Sequence, residues 1–98
     1  MNNKIKKNSD KIGEDLLIYL ERFANFSDEA APSPEIEIKV KGSAKEFFEK
    51  YLKDSRYFLL DLNSSIIHLH CKPRHILRLI DLEEVVYINK VSGLYEPM

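Results

Sequence analysis

The sequence predicts an α+β domain: a four-stranded antiparallel sheet with two helices on one of its faces, preceded by one further helix. Three observations carry this reading. Residues 35–41 alternate strictly between apolar and charged side chains, the two-residue period of a half-buried strand. Directly after them, Ser43, Ala44, Lys45 and Glu46 form a capping box, which opens a helix. The apolar segments beyond it follow as strand, strand, helix, strand.

Taken in order, residues 1–8 are polar, basic and aperiodic, and are expected to fray. Ser9 can cap a helix over residues 9–24, in which Ile12, Leu16, Leu20 and Phe23, with Leu17 beside them, make one face. Asp10, Glu14 and Asp15 sit near its positive end. Gly13 works against it by about 1 kcal/mol relative to Ala. Residues 25–34 read as a linker, because Pro32 and Pro34 forbid continuation of the helix. The helix and linker, 1–34, are therefore expected to be an appendage to a compact unit spanning 35–90, with 91–98 as a C-terminal tail.

In the first strand, Ile36, Ile38 and Val40 face one way and Glu37, Lys39 and Lys41 the other. Gly42 ends it. The helix after the capping box carries Ala44, Phe47, Phe48, Tyr51 and Leu52 on one stripe. Residues 56–62 alternate again, with Phe58, Leu60 and Leu62 opposed to Tyr57, Leu59 and Asp61, and Asn63 with Ser64 supplies turn chemistry. In the strand over 65–71, Ile67, Leu69 and Cys71 point inward and Ile66, His68 and His70 outward. Pro73 suits the first turn of a short helix whose stripe is Ile76, Leu77 and Ile80, with Leu79 near its edge. Residues 85–89 are the last strand, and Gly93 and Pro97 break up the tail. Right-handed crossovers fold this order into the split-βαβ, ferredoxin-like βαββαβ arrangement, which leaves one sheet face uncovered.

At 98 residues, 44% hydrophobic and 32% charged, the chain is one globular domain and not a disordered one. Roughly 60 to 65% of its unfolded surface should be buried, enough for one modest core. The formal net charge of −1 argues against nucleic acid, whose binders are strongly basic. An RNA-binding sheet of this topology also needs aromatics on its central strands, where this chain has His68, Leu69 and His70. No apolar run reaches the roughly 18 residues of a membrane helix. The basic start lacks the apolar stretch of a signal peptide, so a cytoplasmic chain is expected.

The uncovered face is expected to display Glu37, Lys39, Lys41, Tyr57, Leu59, Asp61, Ile66, His68, His70, Val85, Tyr87 and Asn89. Two tyrosines, two histidines and several aliphatics are rich for a solvated sheet and mark an interaction surface. The alternatives are that the first helix folds over this face or that the chain dimerises through it.

Residues 65–89 resemble the closing half of a subtilisin-type (subtilase) protease prodomain. There a strand leads through a short Leu-rich helix, here Ile76, Leu77, Leu79, Ile80 and Leu82, to a Val-x-Tyr-Ile-like strand, here Val85 to Ile88, and an extended tail. Lys11 and Ile12 followed by Leu16 and Leu17 are similar to the helical opening of some bacterial members, and 35–41 with 42–52 to their first strand and helix. The resemblance spans about residues 11–96, as a hydrophobic pattern more than as fixed residues. It implies a domain that inhibits a subtilisin-like serine protease, assists its folding, or both. In such prodomains the open sheet face rests on two surface helices of the protease and the tail is laid in the substrate cleft by strand addition. Tyr57, Leu59, Asp61, His68, His70 and Tyr87 would then make the partner surface. Leu94 and Tyr95 would anchor the tail, and Met98 would fill the pocket beside the nucleophile. Asp61 is the nearest match to the family's acidic group that meets a protease helix N-terminus. The chain departs from the pattern at Pro97, which removes an amide donor from the tail. Neither a following protease nor a secretion signal accompanies it, which points to a free-standing inhibitor or an excised prodomain. The other reading is a ferredoxin-like regulatory or oligomerisation module that binds another protein or itself.

Other chemistry finds little support. His68, His70, His75 and Cys71 are the one metal-competent group, but Cys71 is expected inside and His75 across the sheet, short of the three or four converging ligands zinc requires. No phosphate loop, nucleophile elbow or zinc-hydrolase signature is present. Expected, then, is a protein-binding chain that is not an enzyme and takes no cofactor or metal.

Overall fold

The central strand β1 (Glu35–Val40) is where the two halves of the domain meet, and it pairs antiparallel on both sides. The structure is a computed structural model that describes residues 3–27, 30, 32–53, 58–60 and 65–91, with backbone alone at 58–60. On one side β1 pairs with β3 (Ile66–His70), which in turn pairs with the short β2 (Phe58–Leu60). On the other side lies β4 (Val85–Lys90), so the order is β2-β3-β1-β4 with every pairing antiparallel. The molecule is thus α+β, as the sequence predicts.

Strand parity follows the alternation read from the sequence. Ile36 and Ile38 of β1, Ile67 and Leu69 of β3 and Ile88 of β4 are almost entirely removed from solvent. Against them pack α3 (Ala44–Phe47) and α4 (Pro73–Ile80), through Ala44, Phe47, Ile76, Leu79 and Ile80. Leu79, read as lying near the edge, is inside, and Leu77 is the partly buried neighbour. Gly42 turns β1 into α3 at a φ of 79°, a left-handed conformation that glycine adopts at no steric cost. Ser43 then caps α3, its hydroxyl accepting from the Glu46 amide at 3.3 Å. Beyond Phe47 the helix widens into a π-helical turn, Phe48–Leu52. From this turn the Tyr51 hydroxyl donates to Glu84 Oε2 at 2.6 Å.

The N-terminal third departs from the sequence reading in three ways. Residues expected to fray form α1 (Asn3–Lys7), whose Ile5 is buried and which packs on α4. The single helix expected over 9–24 is divided into a 3-10 turn, Ser9–Lys11, and α2 (Glu14–Phe23). Between them Ile12 bridges Ile88 in parallel, and the Gly13 amide donates to the Ile88 carbonyl at 2.8 Å. The helix is also no appendage: Ile12, Leu16, Tyr19 and Leu20 join the same core as the sheet. A lone amphipathic helix must bury its apolar stripe somewhere, and the edge of β4 offers the nearest apolar surface.

The last strand carries one further correction. The register between β1 and β4 shifts at Lys39/Val40, so that Val86 and Tyr87 together stand opposite Lys39 while Val85 meets Val40. A bulge of this kind inverts side-chain parity beyond it. Val85, expected on the open face, is therefore buried, and Val86 takes an exposed place.

Candidate functional site

The outer face of the sheet is built by register. Glu35 stands opposite His70, Glu37 between His68 and Asn89, and Lys39 between Ile66 and Tyr87. Leu59 of β2 is placed opposite His68. The described helices that join the core pack with the inward residues, and the start of α2 also meets the side chain of Asn89, which the register places opposite Glu37. Tyr19 of α2 lies within electrostatic reach of Cys71, which is itself buried beside α4. The helix that could have folded over this face, α2, leaves Ile66, Val86 and Tyr87 uncovered. Ile66 and Tyr87 remain 37% and 38% exposed there and Val86 44%, values high for large apolar side chains.

Of the residues singled out from the sequence, His68, His70 and Tyr87 come together on this face, with the Leu59 position beside them. Tyr57, Asp61, Leu94, Tyr95 and Met98 lie outside the described residues. His68 sits between two carboxylates: its Nε2 donates to Glu37 Oε1 at 2.8 Å, and its Nδ1 is 3.3 Å from Glu35 Oε2. His70 donates from Nδ1 to the Ser33 carbonyl at 3.0 Å. The two imidazoles thus serve different neighbours and do not converge. Among the described residues no three His, Cys, Asp or Glu side chains are grouped as a metal site.

Glu35 is not among the face residues expected from the sequence. An acid-x-acid strand opposed to a His-x-His strand was the available signal, since facing side chains of opposite charge stabilise a ladder. Val86 carried no such signal, because the bulge that exposes it is a property of the pairing.

The remaining candidates for chemistry lie on the inner side. Burial pushes the Cys71 thiol up to about 12. His75, whose Nδ1 is 3.9 Å from the Cys71 sulfur, is shifted down, first by burial and then by the Arg78 charge. A thiol held protonated beside an imidazole of weakened proton affinity is the reverse of a nucleophilic pair. Tyr19, also raised to about 12 by burial, donates to the Pro32 carbonyl at 2.6 Å and ties α2 to the chain entering β1.

The site is therefore a surface: a row of exposed apolar side chains around Lys39, flanked along the strands by the Glu35, Glu37 and His68 cluster. Among the described residues no helix is long and apolar enough to cross a membrane. No family model, no curated protein and no solved structure matches the chain.

Proposed function

We propose that this chain is a protein-binding module of the subtilase-prodomain kind, which docks its outer sheet face on a subtilisin-like serine protease and lays its C-terminal tail in the substrate cleft. The observation that carries the reading is the exposure of Ile66, Val86 and Tyr87 on the outer face, where the described helices do not cover them. Apolar surface of this kind is stabilised when a partner removes it from water, at about 25 cal/mol per Å² before the costs of association. The strand, helix, strand, strand, helix, strand order from residue 35 and the order β2-β3-β1-β4 support the ferredoxin-like, four-stranded assignment, the architecture that the resemblance implies. Docking of this sort inhibits by occupying the cleft and assists folding by holding the protease's surface helices in place.

Titration of purified subtilisin-type proteases with the full chain tests the proposal. Inhibition is expected, and it should weaken when residues 94–98 are removed and when Tyr87→Glu puts a charge on the face. The reading is overturned if the chain inhibits none of them. It is equally overturned if light scattering finds a dimer that Tyr87→Glu dissolves while the proteases are unaffected.

A further inference from the structure

The geometry points to Lys39 as the specificity anchor of the outer face, and to a partner surface that presents a single carboxylate, from Asp or Glu, set among apolar side chains. This rests on the docking reading above and specifies the chemistry of the surface that is met.

The inference comes from accounting for the charges on the face. Glu35 and Glu37 share His68. Lys41 has Glu83 at 3.9 Å, and His70 has the Ser33 carbonyl. Among the described residues, Lys39 alone of these charges has no hydrogen-bonding or ionic partner, and it is exposed. Its position is also central. It lies on an interior strand, with Ile66 across from it on β3 and the bulged pair Val86 and Tyr87 across from it on β4. A lysine at the rim of a contact can turn its ammonium out to water. At the centre of this patch, a partner that covers Ile66 and Tyr87 also takes water from Lys39.

An ammonium desolvated without a counter-charge is strongly unfavourable. A purely apolar partner is therefore selected against, and one with a carboxylate at this point is selected for. A polyanion is disfavoured, because Glu35 and Glu37 stand on the same strand as Lys39 and would repel additional negative charge.

The test compares the full-length chain with Lys39→Glu and Lys39→Arg as inhibitors of purified subtilisin-type proteases, at low and at high salt. Lys39→Glu is expected to weaken inhibition by about tenfold or more and Lys39→Arg by less than about threefold, with the difference between them shrinking as salt rises. Thermal melts of the natural chain and Lys39→Arg should be alike, because Lys39 is exposed and has no partner among the described residues, and Lys39→Glu should still unfold cooperatively with only a small loss from the added charge beside Glu37. If Lys39→Glu inhibits as well as the natural chain while Tyr87→Glu does not, the docking reading stands and the role of Lys39 falls. If the natural chain inhibits nothing, both fall. A dimer of the natural chain that Lys39→Glu dissociates would make a second copy the occupant and overturn the assignment to a different protein.

Discussion

Gly13 and Asn89 occupy one spot from opposite ends of the chain. A Cβ on Gly13 would overlap the side-chain amide of Asn89. That amide is held in place by two bonds: its Oδ1 accepts from the Leu16 amide at 3.1 Å and from the Lys90 amide at 2.9 Å. Gly13 is the N-cap of α2 and has no side chain to satisfy the first amides of the helix, so Asn89 supplies the cap from β4. Gly13→Ala is expected to destabilise the fold by about 1 to 3 kcal/mol through overpacking. Asn89→Ala should cost about 1 to 2 kcal/mol through the lost cap. The double variant should cost less than the sum, because removing the amide clears the space that the new methyl needs. Urea melts of the four chains check this, and strictly additive costs would refute the shared spot. Cys71 gives a second expectation at this scale. Buried, and with its thiol raised to about 12, it should resist alkylation by iodoacetamide in the native protein and react only as fast as the chain opens. Mass spectrometry of the labelled chain across a denaturant series reads this directly, and rapid native labelling would contradict it.

At the scale of elements, the parts legible in the sequence are those whose signals are local. The alternation in β1 and β3, the Ser43 cap and the Pro73 start each depend on residues within a turn or two, and each is where the sequence places it. What escaped reading depends on partners distant in sequence: the break at Gly13 made by Ile88, the buried Ile5 against α4, and the bulge that exchanges Val85 for Val86. The same holds for the site, where His68, His70 and Tyr87 follow from parity but the role of Glu35 needs the pairing. The π-helical turn also makes a contact with a partner distant in sequence, and that contact leads to a prediction. Tyr51 donates to Glu84, and this bond, followed by the bond to the residue's own backbone, holds the Glu84 carboxyl below its ordinary value. A carboxyl depressed in the folded state contributes stability above its unfolded pKa and loses that contribution as pH falls through the folded one. The melting temperature of the natural chain should therefore exceed that of Tyr51→Phe near pH 7, and the gap should narrow as pH is lowered from about 5 toward about 3. Paired thermal melts across that range measure it, and a gap that widens in acid would exclude the link.

Across the whole molecule, the arm ahead of the linker is a working part of the core. Ile5, Ile12, Leu16, Tyr19 and Leu20 are buried with the residues of the sheet and of α4. The arm is further fastened by polar contacts: Lys11 Nζ donates to the carbonyls of Leu82 at 2.8 Å and Val85 at 3.1 Å, and Asn8 reaches Asp81 at 3.4 Å. A chain of this size has little apolar surface to spare, since small domains bury a smaller share of it than large ones. Starting the chain at residue 33 would leave the β4 edge and the flank of α4 open to water. Such a fragment is expected to lose cooperative unfolding altogether. Because a truncation can fail for several reasons, two point variants sharpen the expectation. Leu20→Ala, at a site with no exposure, should cost about 2 to 5 kcal/mol, whereas Ile18→Ala, 57% exposed on the same helix, should change stability by no more than about 0.5 kcal/mol. Denaturant melts that found Leu20→Ala as mild as Ile18→Ala, together with a fragment from residue 33 that melts as sharply as the full chain, would restore the helix to the status of an appendage. The outer face would then lose its strongest reason for being bare, which is that the arm is already committed to the inner side and to the edge of β4.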